Sequence, residues 1–272
     1  MGSPNPRRTT SDSCEDDVVQ LIREALGAPF GAGNPEVFSG RDDAAVLGPS
    51  LVPAGAALVA SVDSVVEGVH VDLSVCSPGD AGWKALMGAL SDLAAMGASP
   101  LGSLVALCVP GGTGEGALAV EVMRGAGEAA AAATCPVLGG DVAEASQLVV
   151  AVTVLGTVLG VEGGSGHGPV PRSGARAGDV VLVSGPCGAS AAGLRELRSG
   201  AGDADAAGAH RRPVARLREG EVARRAGVRA MIDVSDGLAL DLHRLADASG
   251  VGFELDEVPV APGATLLSLI HI

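Results

Sequence analysis

Aspartates recur along the chain in short segments rich in Gly, Ser or Ala: Asp42 with Asp43, Asp63, Asp92, Asp141, and the pair Asp233 and Asp236. One such aspartate would be an ordinary turn or helix cap, because its side chain bonds nearby backbone N–H groups. Five stations in similar settings point to shared chemistry. Carboxylates gathered in one cleft repel and raise each other's pKa unless cations lie between them. Hard oxygen donors of this kind suit Mg²⁺, and the guest that fits is a nucleotide polyphosphate bridged to the protein by metal.

Two common phosphate devices are excluded. No G-x-x-x-x-G-K-[ST] occurs, since Lys84, the only lysine among 18 basic residues, follows Trp83. No G-x-G-x-x-G follows a strand either. Phosphate binding is therefore expected from distributed aspartates holding several Mg²⁺ ions, helped by Gly-rich backbone N–H groups.

The elements that must position these residues follow from periodicity. Glu15 to Leu26 has helical spacing, and Ala44 to Leu47 and Ala57 to Val62 read as strands. Over Gly79 to Gly97 the spacing predicts a helix with Trp83, Leu86, Met87, Leu90, Leu93 and Ala94 on a buried face. Its other side, Ala81, Ala85, Gly88, Asp92 and Ala95, is small enough to admit another backbone and carries one charge, Asp92. Strand-like Leu101 to Val109, helix-like Glu115 to Ala133 and strand-like Leu148 to Val158 complete a first α/β unit. Beyond a Gly-rich linker, strands are predicted over Val180 to Ser184, Ala230 to Val234 and Gly252 to Leu255. Helices are predicted over Ser190 to Leu197, Glu219 to Ala226 and Gly237 to Ala248, and Ser199 to Gly208 reads as a flexible surface loop.

Composition narrows the class. The 272 residues suffice for one large or two ordinary domains. Apolar residues make up 47% and aromatics 1%, so the core must be built from Ala, Val and Leu. A formal net charge of −14 argues against non-specific binding to nucleic acid or acidic membranes. The 5 cysteines form no C-x-x-C pair, which suggests neither a disulfide framework nor a zinc site; a reducing cytoplasm fits best. No apolar run reaches bilayer length and no signal-peptide h-region opens the chain.

Gly40 to Leu47 (Gly-Arg-Asp-Asp-Ala-Ala-Val-Leu), Ser61-Val62-Asp63 leading to Glu67-Gly68-Val69-His70, and Ala89 to Ala98 around Ser91-Asp92 occur in order. Gly139-Gly140-Asp141, Arg172 to Asp179, and Ile232-Asp233-Val234-Ser235-Asp236-Gly237-Leu238 follow them. Each motif is weak alone, but the ordered set resembles the thiamine-monophosphate kinase family over roughly residues 15–262. That family shares a superfamily with aminoimidazole ribonucleotide synthetase.

The resemblance implies an α/β (α+β) two-domain fold: an N-terminal α/β domain whose sheet pairs with its twin in a homodimer, and an α+β C-terminal domain. It also implies the reaction, in which ATP and thiamine monophosphate give thiamine diphosphate and ADP. Carried over by position, Asp43, Ser61, Val62, Asp63, Asp92, Asp141, Asp233 and Asp236 resemble the ligands of the magnesium cluster. Among these Asp43, Asp63, Asp92 and Asp141 are nearest to the chemistry. Gly140, Asp141, Arg172 and Ser235 resemble ATP contacts, and His70 a contact to the thiamine phosphate.

Val62 stands where the family commonly has Thr, which is harmless if the backbone carbonyl is the ligand. Simpler roles stand beside these: a turn for Asp42, a helix cap for Asp233 or Ser235, a structural role for His70, and a surface ion pair for Arg172. Two other functions remain open, a different ATP-dependent synthetase of the superfamily and a non-catalytic nucleotide-binding or dimerisation fragment.

The expected organisation is a disordered leader at 1–13, an N-terminal ATP- and Mg-binding domain at 14–160 and a linker at 161–171. A C-terminal domain at 172–266 follows, and 267–272 read as a sequencing-adapter artefact that cuts that domain short.

Overall fold

A computed structural model describes residues 21–22, 37–38, 46–47, 52–112, 115–159, 168–200 and 204–261. Its N-terminal half is built on a four-stranded sheet in the order β3-β6-β4-β5. These strands are β3 (Ala57–Val66), β4 (Ser99–Pro110), β5 (Val137–Ala145) and β6 (Val149–Val158). A separate short antiparallel pair joins β1 (Val37–Phe38) to β2 (Val46–Leu47). β6 runs antiparallel to both β3 and β4, whereas β5 lies parallel to β4 at the far edge.

Two helices, α1 (Pro78–Ala95) and α2 (Glu115–Ala133), cover one face of the sheet. Val105, Val150, Val152 and Val154 on the strands and Leu86, Leu90 and Leu93 on α1 are buried there. The chain's poverty in aromatics is met by close approach: a Cβ at Gly82 would lie 1.8 Å from the Val122 carbonyl oxygen, so α1 and α2 touch backbone to backbone. α1 starts where the sequence dictates. Ser77 and Asp80 form a reciprocal capping box, with Pro78 at the first helical position.

The other face of the sheet carries exposed side chains among the described residues. Along β3 the side chains alternate, and Leu58 and Val62, 55% and 65% exposed, stand on that face. Val62, Thr153 and Leu104 form one row across three strands.

Four more helices follow: α3 (Ala189–Ser199), α4 (Ala204–Arg211), α5 (Leu217–Arg225) and α6 (Leu238–Ser249). α5 seats this half on α1. A Cβ at Gly220 would lie 2.0 Å from the Ala94 carbonyl oxygen, and Arg224 Nε donates to the Gly97 carbonyl at 3.0 Å. Trp83 Nε1 donates to the Pro213 carbonyl at 2.7 Å, with Arg212 over the indole ring and its Nε bound to Asp80.

Several sequence expectations need correction. β3 continues to Val66, so Asp63 lies within the strand and not beyond it. No element was expected over 137–145, yet β5 runs through Gly139, Gly140 and Asp141 there, paired parallel to β4 despite the two glycines. Residues 204–211 are helical where a loop was expected, since Ala207 and His210 bury against their surroundings. The strands expected over Val180 to Ser184, Ala230 to Val234 and Gly252 to Leu255 form no ladder; among the described residues of that half, the pairing is an isolated Cys187 to Val260 bridge. Without a neighbouring strand their backbone lacks the partners that define a sheet. Of the expected Glu15 to Leu26 helix, only the helical residues Leu21 and Ile22 are described. Among the described residues no helix is long and apolar enough to cross a membrane.

If α5 rests on α1 as described, Gly220→Ala forces the two backbones apart. Overpacking of this kind costs roughly 1–3 kcal/mol. A urea titration should show a lower midpoint, and an unchanged midpoint would mean that the two helices do not touch there.

Candidate functional site

Ser61 and Asp63 leave β3 on the same side, toward α1. Ser61 Oγ donates to Asp92 Oδ2 at 2.5 Å. Asp63 Oδ2 lies 3.0 Å from where a Cβ at Gly88 would be, so glycine there leaves the carboxylate its room. The two contacts form successive rungs between strand and helix. Two residues along a strand advance about 7 Å and four along a helix about 6 Å, so the spacings match. The small-residue stripe read from the sequence is therefore the side of α1 that faces β3, with Asp92 as its charge.

A third rung continues the row. Lys84, one turn before Gly88, donates from Nζ to the His70 carbonyl at 2.9 Å. Burial pulls its ammonium below the ordinary lysine value. His70 is exposed, and its Nδ1 accepts the Val66 N–H at 3.1 Å. An accepting Nδ1 puts the neutral ring's proton on Nε2. Sequence reasoning gave Lys84 no role here, although its i, i+4, i+8 relation to Gly88 and Asp92 was visible.

The docking of α5 carries the 226–237 segment to the end of this row. Asp233 is half-buried beside Ser91 and Asp92. Burial raises its carboxyl pKa, and the charges of Asp92 and Asp241 push in the same direction against a hydrogen bond with Ser91. Asp236, exposed, is paired with Arg244 Nη1 at 2.6 Å. Ser235 is exposed in the same loop. Neither Asp233 nor Ser235 caps the following helix: its cap residue is Gly237, at φ 117°, with no side-chain cap bond. The loop's N–H groups go instead to Asp241, which the sequence reading did not single out.

Other expected residues lie apart. Asp141 and Gly140 are on β5, the opposite edge of the sheet from β3. Three strand spacings, about 14 Å, separate the two edges. Asp141 is level with Ala106, Ala151 and Ser64, on the face that Val62 shares. A hydroxyl at position 62 would project to that face, so toward the α1 groove only the Val62 backbone could serve. Arg172 is exposed, and its carbonyl accepts Ser249 Oγ at 2.9 Å. Asp42 and Asp43 lie outside the described residues.

Among the described residues no three His, Cys, Asp or Glu side chains enclose a common point suited to one ion. That arrangement fits magnesium carried by a polyphosphate, which takes one or two carboxylates per ion and completes its shell with phosphate oxygens and water. The donors at hand, Asp63, Asp92, Ser61 and Asp233, are all hard oxygens. The crowding of Asp92 and Asp233 is the feature that a cation would relieve.

A carboxyl raised above its unfolded value contributes stability below the ordinary aspartate pKa and loses it as pH rises through the raised value. At neutral pH without metal, ionised Asp233 is thus a burden on the fold. Asp233→Asn should melt higher than the unaltered protein at pH 7 in EDTA, the gain shrinking toward acid. Thermal melts across pH check this, and equal midpoints at pH 7 would contradict the burial of an ionised Asp233.

Comparison with known proteins agrees with this architecture. Family models for the AIR synthase related protein match its N-terminal domain at residues 41–158 and its C-terminal domain at 176–268. A thiamine-monophosphate kinase of Mycobacterium tuberculosis is 38% identical over 261 residues, covering 95% of this chain and 72% of that protein. Its counterpart in Corynebacterium glutamicum is 32% identical over 268 residues, covering 95% and 75%. The crystal structure of thiamine-monophosphate kinase from Stenotrophomonas maltophilia superposes with a TM-score of 0.76 at 31% identity, covering 89% of this chain and 76% of that one. A structure of AaThiL complexed with AMPPCP and TMP gives 0.69 at 26% identity, covering 95% and 78%. With the ordered aspartate motifs on the elements described above, the chain belongs to the thiamine-monophosphate kinase family of AIR synthase-related proteins, and it is a kinase.

Proposed function

We propose that this chain transfers the γ-phosphoryl group of ATP to thiamine monophosphate, giving thiamine diphosphate and ADP. The observation that carries the reading is the carboxylate row between β3 and α1, joined at its end by Asp233. The relatives' names and the AaThiL complex with AMPPCP and TMP support the choice of substrates.

Magnesium, when bound, would neutralise the phosphate oxygens and hold donor and acceptor in line. The chain's residues define where that happens. Asp63, Asp92 and Asp233, with Asp43, supply the oxygens, and Ser61 fixes the Asp92 carboxylate by its hydrogen bond. His70 and Lys84 lie at the far end of the row, where an Nε2–H and an ammonium suit the acceptor's phosphate. Arg172, and by the family resemblance Ser235 and Gly140, are assigned to the nucleotide, Arg172 as a planar, always-charged donor. An oxygen of the acceptor phosphate bonds to the γ-phosphorus as the bond to the β–γ bridging oxygen breaks. That acceptor is anionic near neutral pH, so no general base is needed. The cytoplasm, which supplies ATP and keeps thiols such as Cys76, Cys108, Cys135 and Cys187 free, is the fitting compartment.

Asp141 enters the reading through a homodimer. It is too far along the sheet to share an ion with Asp63 of its own chain. Two copies packed by these partly apolar sheet faces about a twofold axis would bring one copy's β5 edge to the other's β3 edge, with Val62 and Asp141 on the shared side.

The function is tested by incubating the chain with ATP, Mg²⁺ and thiamine monophosphate and separating the products. Thiamine diphosphate should form, and Asp92→Asn should lower kcat about 100-fold. Binding of AMPPCP without product would favour a non-catalytic fragment instead. The shared site is tested by mixing inactive Asp63→Asn and Asp141→Asn chains under exchange. Each mixed dimer would regain one intact site; no recovery in verified mixed dimers would place both aspartates in one chain's site.

A further inference from the structure

We propose that Asp241 is a positioning residue for the carboxylate row, holding the Asp233 to Gly237 loop from behind so that Asp233 meets Asp92. Asp241 lies in the first turn of α6 and is 1% exposed. Its Oδ2 accepts three consecutive backbone N–H groups, from Ser235 at 3.0 Å, Asp236 at 3.1 Å and Gly237 at 3.1 Å. Successive amides turned toward one point make an anion-binding concavity. Here the anion is supplied by the chain itself.

Its other oxygen, Oδ1, accepts Arg244 Nη1 at 2.7 Å, and the same nitrogen reaches Asp236 Oδ2 at 2.6 Å. The loop is thus gripped by its backbone and by one side chain. A buried carboxylate is costly unless its oxygens are fully hydrogen-bonded, and these four donors meet that demand. Asp241 is not assigned to touch substrate or metal; it acts through the orientation of residues 233 to 236. Asparagine at this place would offer one neutral oxygen to three amides and turn an NH₂ group on Arg244.

The inference rests on Asp92 and Asp233 as metal ligands, and its test separates the two ideas. Mn²⁺ alone, without nucleotide, is titrated by electron paramagnetic resonance into the unaltered chain, Asp241→Asn and Asp92→Asn, each checked for folding by circular dichroism. Both variants should bind Mn²⁺ about tenfold more weakly or worse. A folded Asp241→Asn that binds normally while Asp92→Asn does not would overturn the positioning role and leave the metal site standing. If neither variant changes binding, both ideas fall. Should Asp241→Asn not fold, hydrogen exchange on the unaltered chain decides. The amides of Ser235, Asp236 and Gly237 should exchange at least about tenfold more slowly than free loop amides, and unprotected amides would overturn the grip.

Discussion

The seating of Asp233, half-buried beside Ser91 and Asp92, is the constraint on which the site depends. Nothing in either local segment requires it, since Asp92 belongs to a helix of the first half and Asp233 to a loop of the second. Their proximity is imposed by packing. α5 lies on the end of α1 through Gly220 and Arg224, and the loop that follows is held by Asp241 and by a hydrogen bond from the Met231 N–H to the Pro171 carbonyl. Hydrophobic burial and backbone hydrogen bonds together hold two like charges near each other, which is how sites of function are commonly kept away from their local optimum.

Much of the chain's counter-charge is committed elsewhere. Arg212 holds Asp80 and Glu128, Arg229 holds Asp179, and Arg244 holds Asp236 and Asp241. Among the described residues no ion pair reaches Asp63, Asp92 or Asp233. Arg244 is informative here. Its charge is stabilised first by Asp236 and also by Asp241, so one end of the Asp-Val-Ser-Asp-Gly loop is balanced by the chain and the other end is left for a ligand. In a protein with net charge −14, that division looks like a rule about where cations from solution are wanted.

Much of this was legible in the sequence because it is local. Helical spacing over Gly79 to Gly97 and Glu115 to Ala133 yields α1 and α2; within the small stripe, however, Gly88 meets the Asp63 carboxylate, and the close backbone approaches fall at Gly82 and Ala94 instead. The strand β5 was not legible, because Gly139 and Gly140 disfavour a strand in isolation and only the partner β4 makes one. The family resemblance put Asp233 and Asp92 in one cluster, but the residues alone did not, and the separation of Asp141 from Asp63 was not expected at all. Both depend on which elements become neighbours, and no spacing within a motif records that. Asp241 escaped for another reason: within a helix, three residues past the motif, it has the look of a solvated first-turn acid, yet it is the most buried carboxylate of the region.

That last residue changes how the phosphate-binding device should be understood. A Gly-containing loop before a helix suggests backbone N–H groups offered to a phosphate. In this protein the three amides at 235 to 237 already carry an anion, and it is the chain's own. A nucleotide phosphate could bind them only by displacing a buried carboxylate oxygen, which would lose three hydrogen bonds and keep only Arg244, at a cost few ligands could meet. The loop is therefore committed to geometry, not to phosphate. On the proposed function, the charge of a polyphosphate would be met by cations held at Asp63, Asp92 and Asp233 and by exposed donors such as Arg172. The acidic row and the occupied nest are complementary: the amides of 235 to 237 hold the loop in place, while Asp63, Asp92 and Asp233 take no ion pair among the described residues.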